Sequence, residues 1–478
     1  MVVQAGPRPE TEQAAVLPEH VRALLAPGVL APRDEPATLV QTHISFVILT
    51  GDRAYKLKKP VNLGFLDYST LERRRAACEA EVALNRRLTH GVYLAVAPVL
   101  RTAPGVYRLG EPVAPAVEAG DAGQVEVVDY AVVMRRLPAD RMLDHMVERD
   151  AVPPAALARL ANHLADFYAR AATGGPIDRY AQPDMLLTNW QENFLQTLPY
   201  VGRTIGARAF TAITGAVYRD LLRLRPLWQE RIAAGRARDC HGDLRLSAVC
   251  LEDGIQVYDC IEFNDRFRYG DLAADIAFLT MDFDGHGRPD LADEFLAYFI
   301  AAAGDTTLPA VLPFYRCYRA FVRGKVDSFE LDEPEIGPAQ RRVARAAARR
   351  RFAQALGYAR RRPLTLAVVV GPAEGTRMGV ATALAGRLGA ALVEAPEEAA
   401  ARLAQRVSAL MQAPAADAAA RARAEELARR TGARLLVVAC DGVDVPGATL
   451  RLPGGPLRAV LAALHAELGR TRTGAMTR

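Results

Sequence analysis

The feature that most restricts the fold is a change of period along the chain. Thr42-His43-Ile44-Ser45-Phe46-Val47-Ile48-Leu49 and Arg53-Ala54-Tyr55-Lys56-Leu57-Lys58 are β-rich runs with only Thr50-Gly51-Asp52 between them, which reads as a hairpin. A charged stretch from Ser69 to Leu88 follows, and its apolar positions Leu71, Cys78, Val82 and Leu88 read as a helix. Tyr130-Ala131-Val132-Val133-Met134 is a short apolar strand, and helical patterns dominate from Pro153 onward. Strands first and helices later in one stretch imply an α+β two-lobed domain.

The chain has 478 residues, and at about 150 residues per domain it has room for two or three compact units. The period changes again at Arg360-Arg361-Arg362-Pro363. An apolar strand, Leu364 to Val370, leads into the loop Gly371-Pro372-Ala373-Glu374-Gly375-Thr376, and Met378 to Leu388 reads as a helix. Ala-rich helical material from Pro396 to Arg430 precedes a further strand, Arg434 to Ala439. Strand, glycine-containing loop, helix and later strand imply a small α/β unit with a parallel sheet. The expected division is therefore an N-terminal segment over 1–36 with a short helix at Glu19 to Leu25, a two-lobed domain over 37–362 whose lobes meet near residue 134, and the α/β unit over 363–478.

The net charge of +5, from 60 basic and 55 acidic residues, is too small an excess to call for a nucleic-acid partner. Much of it lies between Arg341 and Arg362 and reads as a solvated helix. The six cysteines form no C-x-x-C pair and no zinc spacing, so they read as reduced core thiols. Met1 to Gln13 has no basic-then-apolar signal pattern and no apolar run is long enough to cross a bilayer, which leads to the expectation of a cytoplasmic protein without membrane partners.

Chemistry concentrates at a few carboxylates and lysines. His241-Gly242-Asp243-Leu244 follows the loop pattern H-x-D-L-x-x-x-N as far as the aspartate, and then has Arg245 and, at the asparagine position, Ala248. In that pattern the aspartate meets a substrate hydroxyl and the asparagine holds a magnesium ion. The strand signals at Ala248 to Leu251 and Ile255 to Tyr258 read as a hairpin that ends at Asp259. Alone, a carboxylate there would be a turn or cap residue, but paired with Asp243 at this spacing it reads as a magnesium ligand. Lys56 sits on the second strand of the first hairpin, where a phosphate-binding lysine belongs. Lys58 shares its strand parity and Lys59 does not. On the following helix Glu81 can pair with Lys56, with Glu79 as a rival.

With His241-Gly242-Asp243 and Asp259, the runs Ile261-Glu262-Phe263-Asn264-Asp265-Arg266-Phe267-Arg268-Tyr269 and Gly270-Asp271-Leu272-Ala273-Ala274-Asp275 resemble the aminoglycoside phosphotransferase family. The likeness is closer to a bacterial two-part subgroup in which that domain precedes a P-loop kinase-like domain. Thr42 to Ser45, Tyr55 to Val61, Gly64 to Tyr68, Leu84 to Leu88, Met134 to Pro138 and Arg323 to Val326 extend it over roughly residues 37 to 330. The resemblance implies a protein-kinase-like fold that uses ATP and Mg2+ to phosphorylate a hydroxyl of a small molecule. Adenine would sit near Met134 and Arg136, Lys56 would contact phosphates and Glu81 would hold Lys56. Asp243 would orient or deprotonate the acceptor hydroxyl, Asp259 would bind magnesium, and Asp271 and Asp275 would brace the loop.

Two departures from the family pattern affect the expected activity. Arg245 replaces a histidine and Ala248 the asparagine. Alanine has no oxygen for a hard cation, so nucleotide binding with slowed transfer is expected, with an impaired nucleotide-binding scaffold as the alternative. Arg245 could neutralise phosphate charge, or fold onto Glu262 or toward solvent. The acidic stretches Asp282-Phe283-Asp284 and Asp327 to Glu335 read as loops open to a cationic acceptor. In the C-terminal unit, the pattern G-x-x-x-x-G-K-[ST] counted from Gly371 finds Thr376, Arg377 and Met378 at its last three positions. Asp441 is the one metal-ligand-like carboxylate there, so this unit reads as a degenerate P-loop-like domain that packs or binds a protein partner.

Overall fold

The computed structural model describes residues 17–111, 125–333, 336–360, 362–413, 418–443, 445 and 447–474. The chain forms two compact units, one of Met1–Asp150 with His241–Arg268, the other of Ala151–Cys240 with Tyr269–Arg478.

The first unit is built on a six-stranded antiparallel sheet. Its strands are β1 (Thr38–Gln41), β2 (Ser45–Leu49), β3 (Arg53–Lys58), β4 (Tyr93–Ala103), β5 (Val106–Leu109) and β6 (Glu126–Arg135), in the order β1-β2-β3-β6-β4-β5. Alternation along the strands gives the sheet two faces. Phe46, Ile48, Leu57, Val99 and Ala131 point to one, where Val21 and Leu24 of the short helix Glu19–Leu24 cover them. Ala54, Val132 and Met134 point to the other and pack with Cys78 and Val82 of the helix Leu71–Asn85. Lys56 and Lys58 share parity with Ala54, so this second face carries two buried amines beneath the helix. The helix starts at Thr70, whose hydroxyl accepts the Arg73 N–H at 3.3 Å. It is two to three residues shorter at each end than the charge pattern suggested.

In the second unit, helices pack around Trp190, Trp228, Phe314 and Phe321. Arg231 is fully buried and bonds both oxygens of Asp271 at 2.7 Å and both of Asp305 at 2.7 and 3.0 Å. The same unit holds a five-stranded parallel sheet in the order Ala390–Leu392, Ser408–Ala413, Thr365–Val370, Arg434–Ala439, Leu450–Arg451. The α+β reading and the parallel C-terminal sheet are thus present, but three local expectations change.

Pro396 to Arg430 is not continuous helix. Helices Pro396–Ala404 and Ala418–Thr431 flank the strand Ser408–Ala413. Ser-Ala-Leu-Met-Gln-Ala has no β-branched residue, and burial between two parallel neighbours outweighs its helical preference. Glu374-Gly375-Thr376, expected in the loop, form the first turn of the helix Glu374–Leu388. The first acidic stretch is not a loop, and the second leaves the helix only after Phe329. Asp282 and Asp284 lie in the helix Ala273–Gly285 and Asp327 in the helix Leu308–Phe329. They meet Arg351 at 3.2 Å, Arg387 at 3.1 Å and Arg323 at 3.4 Å respectively, which removes them as an exposed cation trap. Residues 334–335 of the second stretch lie outside the described residues. Among the described residues no helix is long and apolar enough to cross a membrane.

Candidate functional site

Lys56 stands at the centre of a buried charge cluster in the first unit. Its Nζ donates to Glu81 Oε1 and to Asp259 Oδ1, both at 2.8 Å. Glu81 follows Cys78 by three positions, so the face of the helix that packs on the sheet also carries this carboxylate to the lysine. Glu79 points away and pairs with Arg75 at 2.8 Å on the surface. Lys58, fully buried, donates to the other oxygen of Glu81 and to Glu262, and the Tyr68 hydroxyl donates to the same Glu262 oxygen at 2.6 Å. Lys59 has the opposite parity, and its amine lies 4.9 Å over the Phe46 ring.

Two lysines therefore face three carboxylates, and the charges set one another. Burial alone would lower the Lys56 pKa, but Asp259 and then Glu81 outweigh it and hold the amine well above its ordinary value. Burial likewise opposes the charge on Lys58, and Glu262 and Glu81 reverse the effect. Burial would raise the Asp259 carboxyl, yet Lys56 beside it holds it far below the usual carboxylate range. Glu262 is lowered in the same way, burial being outweighed by Lys58 and Lys56.

The segment after residue 240 brings Asp259 and Glu262 to this cluster and also carries Asp243. Gly242 adopts φ +88°, and a Cβ on it would lie 2.7 Å from the Phe267 carbonyl oxygen, so only glycine fits. The Asp243 N–H donates to His241 Nδ1 at 3.3 Å while His241 Nε2 meets the Tyr258 carbonyl at 3.0 Å, which selects the tautomer protonated on Nε2. Arg245 Nε and Nη2 lie 3.1 and 3.0 Å from Asp243 Oδ2. Its guanidinium is thus placed on Asp243, an arrangement absent from the alternatives read in the sequence. Ala248 is buried, its carbonyl accepts the Tyr258 N–H at 3.0 Å, and the Ser247 carbonyl accepts the Tyr258 hydroxyl at 3.0 Å. A short ladder, Val249–Cys250 with Gln256–Val257, turns at Asp253 and Gly254, both at positive φ, and delivers Asp259 at φ +65°.

Several side chains that the sequence did not single out complete the arrangement. Asn85 Oδ1 accepts the Cys260 N–H at 2.9 Å while its Nδ2 donates to the Glu81 carbonyl at 2.8 Å, which ties the helix to the residue after Asp259. The Tyr93 hydroxyl accepts the Asp259 N–H at 3.3 Å. Ser45 is paired across from Lys58 in the sheet, and its Oγ is fully buried with no hydrogen-bond partner among the described residues. With Lys56, Asp259 and Glu262 it lines a narrow cleft with room for little more than a water molecule, about 10 Å3. The hairpin itself was readable from sequence, but the register that sets Ser45 across from Lys58 was not. Met134 lies opposite Ala54 in the sheet, and Arg136 donates to the Thr50 carbonyl at 2.7 Å, so both stand at the end of β6 beyond the residues that face Lys56.

In the second unit the loop after Thr365–Val370 is closed by its own side chains. Arg377 Nη1 donates to the Gly371 carbonyl at 2.5 Å, and a Cβ on Gly371 would overlap the Cys440 sulfur. The Met378 sulfur accepts from Gln412 at 3.2 Å. Asp441 follows the strand Arg434–Ala439 at φ +59°. Asp271 is held by Arg231, and Asp275 by the Tyr168 hydroxyl at 3.0 Å and by Arg319 at 3.5 Å.

A model of the phosphotransferase enzyme family matches residues 62–314, more than half of the chain. The chain belongs to this family. The resemblance carried by His241-Gly242-Asp243 and the surrounding runs is thereby shown, and phosphotransfer is the chemistry of the family to which this phosphotransferase relative is assigned. The uncharacterized protein Rv2004c of Mycobacterium tuberculosis strain H37Rv is 35% identical over 306 residues, 63% of this chain and 57% of the relative. The uncharacterized protein Mb2027c of Mycobacterium bovis gives the same values. The match thus spans little more than half the length of these relatives. Among solved structures, a choline/ethanolamine kinase family protein from Mesorhizobium loti covers 71% of this chain and 97% of its own at 12% identity, with a TM-score of 0.40. An aminoglycoside phosphotransferase from Streptomyces rimosus in complex with ADP and streptomycin covers 66% and 92% at 16% identity, with a TM-score of 0.29. Likeness at these TM-scores carries no argument.

Proposed function

We propose that this phosphotransferase-family protein transfers the γ-phosphoryl group of ATP to a hydroxyl of a small molecule, and that the reaction is carried by the protein-kinase-like part of the chain, residues 37–362. The observation that carries the reading is Lys56, held between Glu81 and Asp259 at 2.8 Å from each. Such a lysine is anchored at the edge of the cleft, which suits the phosphate contact that phosphoryl transfer asks of it. The buried hydroxyl of Ser45 in the same cleft, unpartnered among the described residues, supplies a donor where an anion would sit.

The residues also fit a magnesium ion. Asp259 is a hard oxygen donor kept anionic by its neighbours, and the cluster has one more carboxylate than lysines. Magnesium is commonly bound by one or two carboxylates together with phosphate oxygens, and when bound it would neutralise charge on those phosphates. Asp243 receives or orients the acceptor hydroxyl, and Arg245 restrains its carboxylate. Met134 and Arg136 border the space for the adenine. Ala248 offers no metal ligand, which supports slowed transfer and keeps a second reading, a nucleotide-binding scaffold, in contention.

The proposal gives no catalysis to residues 363–478, read as a degenerate P-loop-like unit. Arg377 donates to the Gly371 carbonyl and so occupies the loop in which phosphate would lie. The test is Asp243→Asn in the full chain, with a panel of hydroxylated small molecules and ATP. Loss of product with unchanged ATP binding is the expected result. ATP binding that does not depend on Lys56, or no product with any acceptor from the wild-type protein, would favour the scaffold or reject nucleotide chemistry altogether.

A further inference from the structure

Glu81 has two carboxylate oxygens, and they serve two different lysines. Oε1 accepts from Lys56, the residue that also reaches Asp259, while Oε2 accepts from Lys58. Lys58 in turn is held by Glu262, and Glu262 is fixed by the Tyr68 hydroxyl. Lys58 is fully buried and Glu81 is buried, so neither can exchange its partner for water, while the Glu262 side chain is 5% exposed at the cleft. Three elements contribute: β3 gives both lysines, the helix Leu71–Asn85 gives Glu81, and the segment after Asp259 gives Glu262.

We infer that Lys58 and Glu262 are positioning residues which hold Glu81 from its second oxygen, so that Lys56 stays aimed at the nucleotide. The inference rests on the proposed ATP site. A single carboxylate facing one lysine can rotate and chelate it with both oxygens, drawing the amine away from a phosphate. With Oε2 already engaged by Lys58, Glu81 presents Oε1 alone and keeps a partner when phosphate competes for Lys56. Buried charges without partners are costly, so the outer pair also lets Glu81 remain where it is during that competition. Lys58 touches no reacting atom in this arrangement and acts entirely through Glu81.

The experiment measures ATP affinity of the full chain by calorimetry, with thermal melts to report folding. The variants are Lys58→Met, Lys58→Arg, Glu262→Gln, Lys56→Met and Lys56→Met/Lys58→Met. Lys58→Met should weaken ATP binding about tenfold, Glu262→Gln should weaken it in the same direction, and Lys58→Arg should restore part of the loss. The double variant should bind no more weakly than Lys56→Met alone, because Lys58 has no route to the nucleotide except through Lys56. Additive losses in the double variant would overturn the inference in favour of a merely structural role, as would undiminished binding by Lys58→Met. If Lys58→Met does not fold, Glu262→Gln paired with Lys56→Met decides by the same comparison. Wild-type binding that is indifferent to Lys56→Met would instead reject the ATP site itself, a distinguishable failure.

Discussion

Replacing Gly242 by alanine should uncouple Asp243 from its setting, and the cost can be worked from two contributions. The first is conformational: φ is +88°, and a left-handed backbone costs an alanine about 1–2 kcal/mol. The second is steric. The new Cβ would stand 2.7 Å from the Phe267 carbonyl oxygen, 3.1 Å from Ile261 Cδ1 and 3.3 Å from Arg268 Cα. The carbonyl and Cα belong to backbone and cannot swing aside, so overpacking adds about 1–3 kcal/mol. Gly254 provides the control, since its φ is +101° with nothing within 4 Å of the position a Cβ would take. Gly254→Ala should therefore lose about 1–2 kcal/mol and Gly242→Ala about 2–5 kcal/mol, with phosphotransfer falling only in the latter. Both tryptophans lie in the second unit, so their fluorescence is blind to this change. Native-state hydrogen exchange of peptides from the first unit is the suitable assay. Equal losses for the two variants would refute the argument that close approach of Phe267 is what requires glycine.

Ala248→Asn puts an amide at a position only 3% exposed, so without nucleotide it should destabilise the first unit by about 1–3 kcal/mol while raising the rate of transfer with magnesium. No gain in rate would defeat the idea that Ala248 limits it. The pH dependence follows from Glu262, whose folded pKa lies below its ordinary value. Its contribution is complete above the unfolded carboxylate value of about 4.3 and disappears as pH falls through the lower folded one. The stability difference between wild type and Glu262→Gln should thus be largest near neutrality and shrink toward pH 3; a difference that grows on acidification would contradict the assigned sign. Arg387→Met leaves Asp284 and Asp293 without the guanidinium that lies 3.1 Å from each. His465 and Tyr358 still bond them, so the loss should fall near the lower end of the range for a broken buried pair, about 3 kcal/mol. Tryptophan fluorescence during urea unfolding reads this unit directly, and a loss under about 1 kcal/mol would show that the pair is not a main support.

Local rules carried the sequence a long way. Strand parity placed Lys56 and Lys58 on one face, and helical spacing put Glu81 beside Cys78 and Val82, because both periods are fixed by backbone geometry. The second hairpin and its end at Asp259 followed from the strand signals at Ala248 to Leu251 and Ile255 to Tyr258, and the chain turns between them at Asp253-Gly254, which accept positive φ. Local rules failed where burial reversed them. Ser408–Ala413 became a strand because parallel neighbours bond both its edges, and Asp282 and Asp284 entered a helix because Arg351 and Arg387, distant in sequence, neutralise them. The same holds at the site. That Lys58 is shared by Glu81 and Glu262, that Arg245 rests on Asp243, and that the Ser45 hydroxyl has no partner among the described residues depends on which segments meet in three dimensions. Sequence determined which residues could carry charge and which face of each element they occupy. Tertiary structure alone decided which charges meet, since an ion pair in a low-dielectric interior is set by distances of a few ångströms between residues up to 204 positions apart in the chain.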